Sequence, residues 1–114
     1  MKRDMKKLKW STNLYVGPSV ARYSRRIRKR LDEGKSDVGH YLLTLAANEN
    51  DELDILETFF LSQETIRDRL PAIVGIAGTK KEALELARKI TEDCVQETGG
   101  ADLRRYLQKK GSLK

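Results

Sequence analysis

The chain has little of the chemistry that builds metal centres or covalent cross-links. Its 114 residues include one cysteine and one histidine. That count excludes a disulfide framework, a cysteine-based zinc site and a multi-histidine metal centre. The longest run free of charge and strong polarity, residues 38–47, is far shorter than the roughly 20 apolar residues that cross a membrane. We therefore expect a cytoplasmic protein without a metal, a cofactor or a membrane partner.

Charge is plentiful, and its distribution is uneven. Lysine and arginine outnumber aspartate and glutamate by 23 to 17, which gives a net charge of +6. Residues 1–35 carry +9, residues 36–79 carry −6 and residues 80–114 carry +3. No linker rich in glycine, serine or proline separates these zones. We interpret them as different surfaces of one domain.

The length suits a single folded unit, which would bury about two thirds of the surface of its unfolded chain. We predict a mobile basic arm over residues 1–9, because lysine predominates there and little can be buried. One α/β domain follows over residues 10–109. Residues 110–114 are expected to fray.

The first predicted helix covers residues 19–33, and Gly34 is suited to end it. Its apolar side chains recur at spacings of three and four and form one stripe: Val20, Tyr23, Ile27 and Leu31. Four cations lie opposite that stripe: Arg22, Arg25, Arg26 and Lys29. Phosphate backbones attract such clusters through counterion release, so this face and the arm are a candidate nucleic-acid-binding surface. A solvated face, or one paired with the acidic zone, is the alternative.

Aromatic residues near this helix bear on the same hypothesis. Trp10, Tyr15 and Tyr23 are near enough in sequence to contribute base stacking. Tyr23, however, belongs to the apolar stripe, and we expect it in the core.

The remaining segments predict a sheet with helices. Residues 38–47 have two apolar faces, and residues 72–77 form a short β-branched run; both are typical of strands buried on both sides. Residues 10–16 are compatible with a further strand. The spacing of Leu53, Leu56, Phe59 and Phe60 predicts a helix through about residue 62, with acidic residues in its first turn. Residues 63–70 are left open between a loop and a short helix.

Two further helices complete the pattern. Thr79 and Glu82 form a capping box that opens a helix to about residue 98, and Asp102 is suited to cap a last short helix. The order (β)-α-β-α-β-α-α predicts an α/β fold with crossover helices around a short, mostly parallel sheet of two to three strands.

The turn before the third helix is a second candidate site. A strand ends there, glycines permit a tight turn, and a helix N-terminus with two lysines favours an anion such as phosphate. The residues concerned are Gly75, Gly78, Thr79, Lys80 and Lys81. The spacing does not match a phosphate-binding loop, because only three residues separate Gly75 from Thr79. A capped turn with solvated lysines is the favoured interpretation.

Catalytic residues are not evident. His40 stands at the entry to a predicted strand and is interpreted as a hydrogen-bonded structural histidine, and Cys94 as a small core residue. No arrangement of nucleophile, histidine and carboxylate can be recovered from the spacing. We therefore expect a protein that is not an enzyme.

The overall pattern resembles a group of short bacterial proteins without an assigned activity. The similarity covers about residues 34–107 and includes Tyr41-Leu42-Leu43-Thr44-Leu45, Val74-Gly75-Ile76-Ala77-Gly78, Glu82-Ala83-Leu84-Glu85-Leu86 and Glu97-Thr98-Gly99. It implies a single-domain family and no functional residues.

The function expected first is a non-enzymatic module that self-associates or binds a protein partner. A sheet of two to three strands is small, and the +9 zone of one copy could face the −6 zone of another. Nucleic-acid binding through Arg22, Arg25, Arg26 and Lys29 is the alternative. Anion or nucleotide binding at the turn between Gly75 and Lys81 is a second alternative.

Overall fold

The computed structural model describes residues 8–46, 53–100 and 102–109. These residues form a three-layer arrangement in which a central sheet lies between two sets of helices. The elements in chain order are β1 (Trp10–Val16), α1 (Ser24–Asp32), β2 (Tyr41–Leu45), β3 (Leu53–Glu57), α2 (Glu64–Arg69), β4 (Ile73–Ala77), α3 (Lys80–Thr98) and α4 (Leu103–Lys109).

The strands form one mixed sheet in the order β1-β4-β2-β3. β1 is parallel to β4, whereas β2 is antiparallel to both β4 and β3. The strand expected over residues 10–16 is therefore present. The prediction of a mostly parallel sheet of two to three strands is wrong, because the described sheet has four strands and β2 pairs antiparallel with both of its neighbours.

The predicted second helix is also wrong. Its residues form β3 and then a single 3₁₀ turn, Thr58–Ser62. The spacing of Leu53 and Leu56 suits a helix, but all five residues of β3 lie opposite residues of β2. That pairing satisfies the backbone groups of β3 that face β2, and local spacing does not decide the outcome. Phe59 and Phe60, expected on a buried stripe, are 50% and 39% exposed.

The acidic zone consequently lies on different elements from those expected. Asp54 and Glu57 are part of the edge strand β3. The remaining acidic residues of the predicted helix, Glu49, Asp51 and Glu52, lie outside the described residues. The segment left open between loop and helix contains α2.

Both faces of the sheet are covered by apolar side chains. Leu43 and Leu45 of β2 pack with α3 and α4, whereas Leu42 packs with α1 on the opposite side. The prediction of two apolar faces is therefore confirmed for residues 41–45, whereas Val38, which was included in the predicted strand, precedes β2 and is 66% exposed. Thr44 on the same strand is also buried.

The first helix is shorter than its sequence pattern. A 3₁₀ turn over Pro18–Val20 precedes it, and α1 begins only at Ser24. Ser19 does not cap the helix, because its hydroxyl donates to Glu82 at 2.7 Å. Gly34 follows the helix with a φ of 76°, as expected of the residue that ends it.

The domain includes residues that we assigned to the basic arm. Leu8 is 8% exposed, and its amide donates to the Asp32 carboxylate at 3.2 Å. The Lys9 carbonyl accepts from the Ile73 amide at 2.7 Å. These contacts attach the chain before β1 to both α1 and β4. The rest of the predicted arm, residues 1–7, and the frayed segment, residues 110–114, lie outside the described residues.

The two C-terminal helices agree with the sequence pattern. Thr79 accepts a hydrogen bond from the Glu82 amide at 3.0 Å, and Gly99 ends α3 with a φ of 76°. Asp102 accepts from the Arg105 amide at 3.1 Å and caps α4. Cys94 is completely buried between α3 and the core, as predicted.

We expect the Cys94 thiol to be protected from modification in the folded protein. Its side chain has no exposed surface, so a thiol reagent can reach it only when α3 opens or the domain unfolds. The measurement is the rate of reaction with Ellman's reagent in buffer and in increasing urea. One equivalent should react at once in the unfolded protein. Immediate reaction in buffer would contradict this packing of α3.

Candidate functional site

Four cations form an exposed surface on and before α1, which we call the basic face (Arg22, Arg25, Arg26 and Lys29). Its orientation follows from packing, because Ile27 and Leu31 of the same helix are 3% and 1% exposed and cover the sheet. All four members of the basic face are exposed. Within residues 8–46, 53–100 and 102–109, no acidic group lies within ion-pair distance of them. Their charge is therefore presented to the solvent.

Two open hollows run along this surface. One encloses about 570 Å³ and is lined by Arg25, Arg28, Lys29, Asp32 and Glu33. The other encloses about 470 Å³ and is lined by Ala21, Arg22, Tyr23, Ser24, Arg25 and Arg26. Arg25 borders both hollows, which makes the basic face continuous. The first hollow also contains two acidic residues, whereas no acidic residue lines the second.

Two of the three aromatic side chains considered from the sequence accompany the basic face. Tyr23, expected in the core, is 41% exposed and lines the second hollow, so that expectation is corrected. The reason is that α1 begins after Tyr23, which takes this residue off the helical stripe. Trp10 donates its indole N–H to Asp32 at 3.0 Å, and the Arg28 guanidinium lies 5.1 Å from its ring centre, a cation–π contact.

The third aromatic residue, Tyr15, belongs to the opposite side of the sheet. Its hydroxyl donates to Asp93 at 2.8 Å and lies 3.5 Å from the Tyr106 hydroxyl. Burial, followed by these hydrogen bonds, raises the pKa of Tyr15 above its ordinary value of 10.0. The phenol therefore remains protonated, and it does not contribute to the basic face. Sequence analysis missed this cluster, since Asp93 lies 78 positions from Tyr15.

The glycine-containing turn between β4 and α3 binds a carboxylate of the protein itself, that of Glu82. The Glu82 carboxylate accepts from the Gly78 amide at 2.8 Å, from the Ser19 hydroxyl at 2.7 Å and from the Ser19 amide at 3.2 Å. A Cβ at Gly17 would overlap this carboxylate. Gly75, assigned to the turn from the sequence, is buried within β4. Of the five residues predicted to bind an external anion, Gly78 is thus already a donor to Glu82.

The other members of the turn serve the helix or the solvent. The Thr79 side chain caps α3, and Lys80 and Lys81 are exposed in the first turn of the helix. In a complete capping box, Glu82 would also accept a hydrogen bond from the Thr79 amide. Here the Glu82 carboxylate accepts from the Gly78 and Ser19 amides instead. The interpretation as a capped turn with exposed lysines describes this geometry.

His40 belongs to a compact hydrogen-bonded network. Its Nδ1 lies 2.6 Å from Asp37 Oδ2, and the same oxygen accepts from the Thr58 hydroxyl at 2.6 Å. The hydroxyl therefore contacts the carboxylate and, at 3.2 Å, the backbone carbonyl of His40 rather than its imidazole, an arrangement that does not activate a nucleophile. The expectation of a hydrogen-bonded histidine is confirmed. Sequence analysis does not identify Asp37 and Thr58, because they approach each other only when β3 pairs with β2, and the sequence pattern predicts a helix in place of β3.

Metal ligation and membrane insertion can be checked for the same part of the chain. Within the described residues, no group of three or more histidine, cysteine, aspartate or glutamate side chains is placed to hold a metal ion. None of the helices there combines the length and the apolar character needed to cross a bilayer.

We predict that Glu82→Gln lowers the free energy of unfolding by roughly 1 kcal/mol at neutral pH, because a hydrogen-bonded carboxylate loses its charge. Burial raises the pKa of Glu82, but the hydrogen bonds from Gly78 and Ser19 together have the larger, opposite effect. The pKa of Glu82 therefore lies below its ordinary value of 4.5. A depressed pKa stabilises the fold above about pH 4.5, and this stabilisation is lost as the pH falls through the folded-state value. The difference between wild type and variant should therefore shrink at acidic pH.

Urea unfolding followed by circular dichroism from pH 7 to pH 3 measures this difference. Glu85→Gln is the matched control, because it removes the same charge from an exposed position one turn further along α3. We expect the control to change the stability by less than about 0.5 kcal/mol. An equal loss in both variants would mean that the hydrogen bonds of Glu82 contribute nothing specific.

Within the described residues, the arrangements differ in how they use their polar groups. Glu82 and the network around His40 use theirs for hydrogen bonds inside the protein, whereas the basic face directs its charges outward. Comparison of this chain with protein-family models, with curated proteins and with solved structures finds no match.

Proposed function

We propose that this protein is a small, non-enzymatic module that binds nucleic acid through the basic face of α1. The observation that carries the proposal is the absence of described acidic partners for Arg22, Arg25, Arg26 and Lys29. Two exposed cations of α3, by contrast, are paired with carboxylates of their own helix. Arg88 lies 3.0 Å from Glu92 on α3, and Lys89 lies 3.6 Å from Asp93.

This contrast has a physical meaning. A cation paired within its own helix has part of its charge neutralised, and an outside anion must compete for it. No described carboxylate competes for the cations of the basic face, and these cations lie within eight positions of the chain. Four cations close together suit a ligand whose negative charges are regularly repeated, and binding them releases condensed counterions. A phosphate backbone has that property.

Self-association, the function expected first from the sequence, retains one of its two arguments. The sheet of the described residues has four strands and is covered on both faces, so it does not need a second copy to complete it. The charge argument remains, because the acidic edge strand β3 and the basic face belong to different elements. We rank self-association second, and light scattering across a salt series distinguishes it from a monomer that binds nucleic acid.

The proposal predicts that charge removal acts by position. Three double variants each remove two positive charges: Arg25→Ala with Arg26→Ala, Lys80→Ala with Lys81→Ala, and Arg88→Ala with Lys89→Ala. We expect a Kd of about 1 to 100 µM for a labelled 20-nucleotide strand near physiological salt, as is typical of electrostatic binding. The first variant should weaken binding roughly tenfold and reduce the salt slope by about one to two, and the others should have little effect.

Fluorescence anisotropy between 50 and 300 mM salt measures both quantities. Equal losses in the three double variants would show that net charge alone attracts the strand and would contradict the assignment to α1. A loss confined to the Lys80 and Lys81 variant would place the anion site at the turn instead. Absence of wild-type binding at 50 mM salt would overturn the proposed function.

A further inference from the structure

Tyr23 is an exposed aromatic residue that lies outside the apolar core of the described residues. Its side chain is 41% exposed, although Val20, Ile27 and Leu31 around it in the chain are buried. The ring does not cover the sheet, and its residue belongs to neither apolar cluster of the described core. It lines the hollow that also contains Arg22, Arg25 and Arg26.

We propose that Tyr23 is a stacking platform for an unpaired base, so that the ligand of the basic face is single-stranded nucleic acid. This inference rests on the proposed function and specifies its ligand class. Proteins that bind single strands combine cations along the phosphates with aromatic rings on which bases stack. The hollow beside α1 contains both components: three arginines and one exposed ring.

Contacts behind the ring hold it in place. The rings of Tyr23 and His40 meet edge to face with their centres 6.2 Å apart and an angle of 70° between their planes. His40 is itself held by Asp37, whose carboxylate also accepts from Thr58 at 2.6 Å. A ring that is already oriented loses less conformational freedom when a base stacks on it. His40 and Asp37 are therefore positioning residues in this proposal.

Single strands fit this surface better than duplexes for a geometric reason. In a duplex the faces of the bases are occupied by their neighbours, so a ring on the protein surface has no base to stack on unless the duplex opens. Unpaired bases leave their faces accessible, and stacking is tolerant of sequence. The cations would attract both kinds of strand, and the ring would discriminate between them.

Two substitutions of Tyr23 separate the ring from its bulk. Tyr23→Phe keeps the aromatic face, whereas Tyr23→Leu keeps apolar volume without a ring. We expect Tyr23→Leu to weaken binding of a single strand by about 5- to 150-fold, the range found when the aromatic side chain on which a base stacks is removed. Tyr23→Phe should stay within about twofold of the wild type. Binding of a duplex with the same number of phosphates should change by less than about twofold in both variants.

The experiment uses the full chain with a 12-nucleotide strand that carries 2-aminopurine, in a deoxyribose and a ribose version. Stacking on Tyr23 quenches 2-aminopurine fluorescence, and this quenching should disappear with Tyr23→Leu and persist with Tyr23→Phe. Both sugars should respond, because stacking reads the base and not the 2′-hydroxyl. Circular dichroism and thermal unfolding confirm that each variant is folded before it is titrated.

A further variant tests the positioning network. His40→Ala retains the Tyr23 side chain but removes the edge-to-face contact that orients its ring. We therefore expect an intermediate loss of quenching and of single-strand affinity. The affinity for the duplex should stay unchanged in this variant. Loss on the duplex to the same extent would mean that the substitution disturbs the basic face as a whole, which would overturn the positioning role.

The outcomes for the two levels of the proposal differ. Wild-type protein that binds both strands, with Tyr23→Leu unchanged on the single strand, would overturn the stacking role and leave the basic face intact. Equal weakening of single strand and duplex by Tyr23→Leu would also overturn it. Wild-type protein that binds neither strand would overturn the proposed function itself.

Discussion

The burial of β4 is the constraint on which the rest of this domain depends. All five of its residues are buried, and its backbone pairs with β1 on one edge and β2 on the other. Its side chains cover both faces of the sheet, and an irregularity between Ile73 and Gly75 interrupts the simple alternation, so both faces need a cover. Ile73 and Ile76 face α1, whereas Val74 and Ala77 face α3 and α4. Since α1 must turn its apolar stripe toward β4, its cations have to point outward.

A polar contact at the end of β4 connects the two helical layers. The Glu82 carboxylate of α3 binds the backbone and hydroxyl of Ser19, in the turn that leads into α1, as well as the Gly78 amide. The Gly17 amide donates to the Ile76 carbonyl at 2.8 Å, which attaches the same turn to the sheet. An anion-binding geometry is thus used to place α1. The position of the basic face and of Tyr23 follows from this attachment.

The net charge of +6 conceals the feature that matters for binding. On α3, cations and carboxylates four positions apart pair with each other. On α1, Lys29 and Glu33 are also four positions apart, but the Glu33 carboxylate lies 3.4 Å from Lys35, and the Asp32 carboxylate accepts from Leu8 and Trp10. The two carboxylates at the end of this helix are therefore used elsewhere. The charge of the basic face remains unpaired among the described residues, and the bulk composition does not reveal it.

Features with short-range causes were predictable from the sequence. The strand β4, the helix α3 with its cap at Thr79 and the outward cations of α1 all follow from residues within a few positions of each other. The identity of β3, the late start of α1 and the exposure of Tyr23 do not. They depend on partners far along the chain: β2 for β3, Glu82 for Ser19, and His40 for Tyr23. Periodicity and capping report the local free energy of the backbone, whereas these contacts exist only after distant segments have packed. The sequence by itself determined which residues carry charge and where β4 and α3 form, because those features have local causes. The tertiary structure decided which aromatic residues are buried, which charges remain unpaired and which ring stands beside them, because these depend on contacts between distant segments.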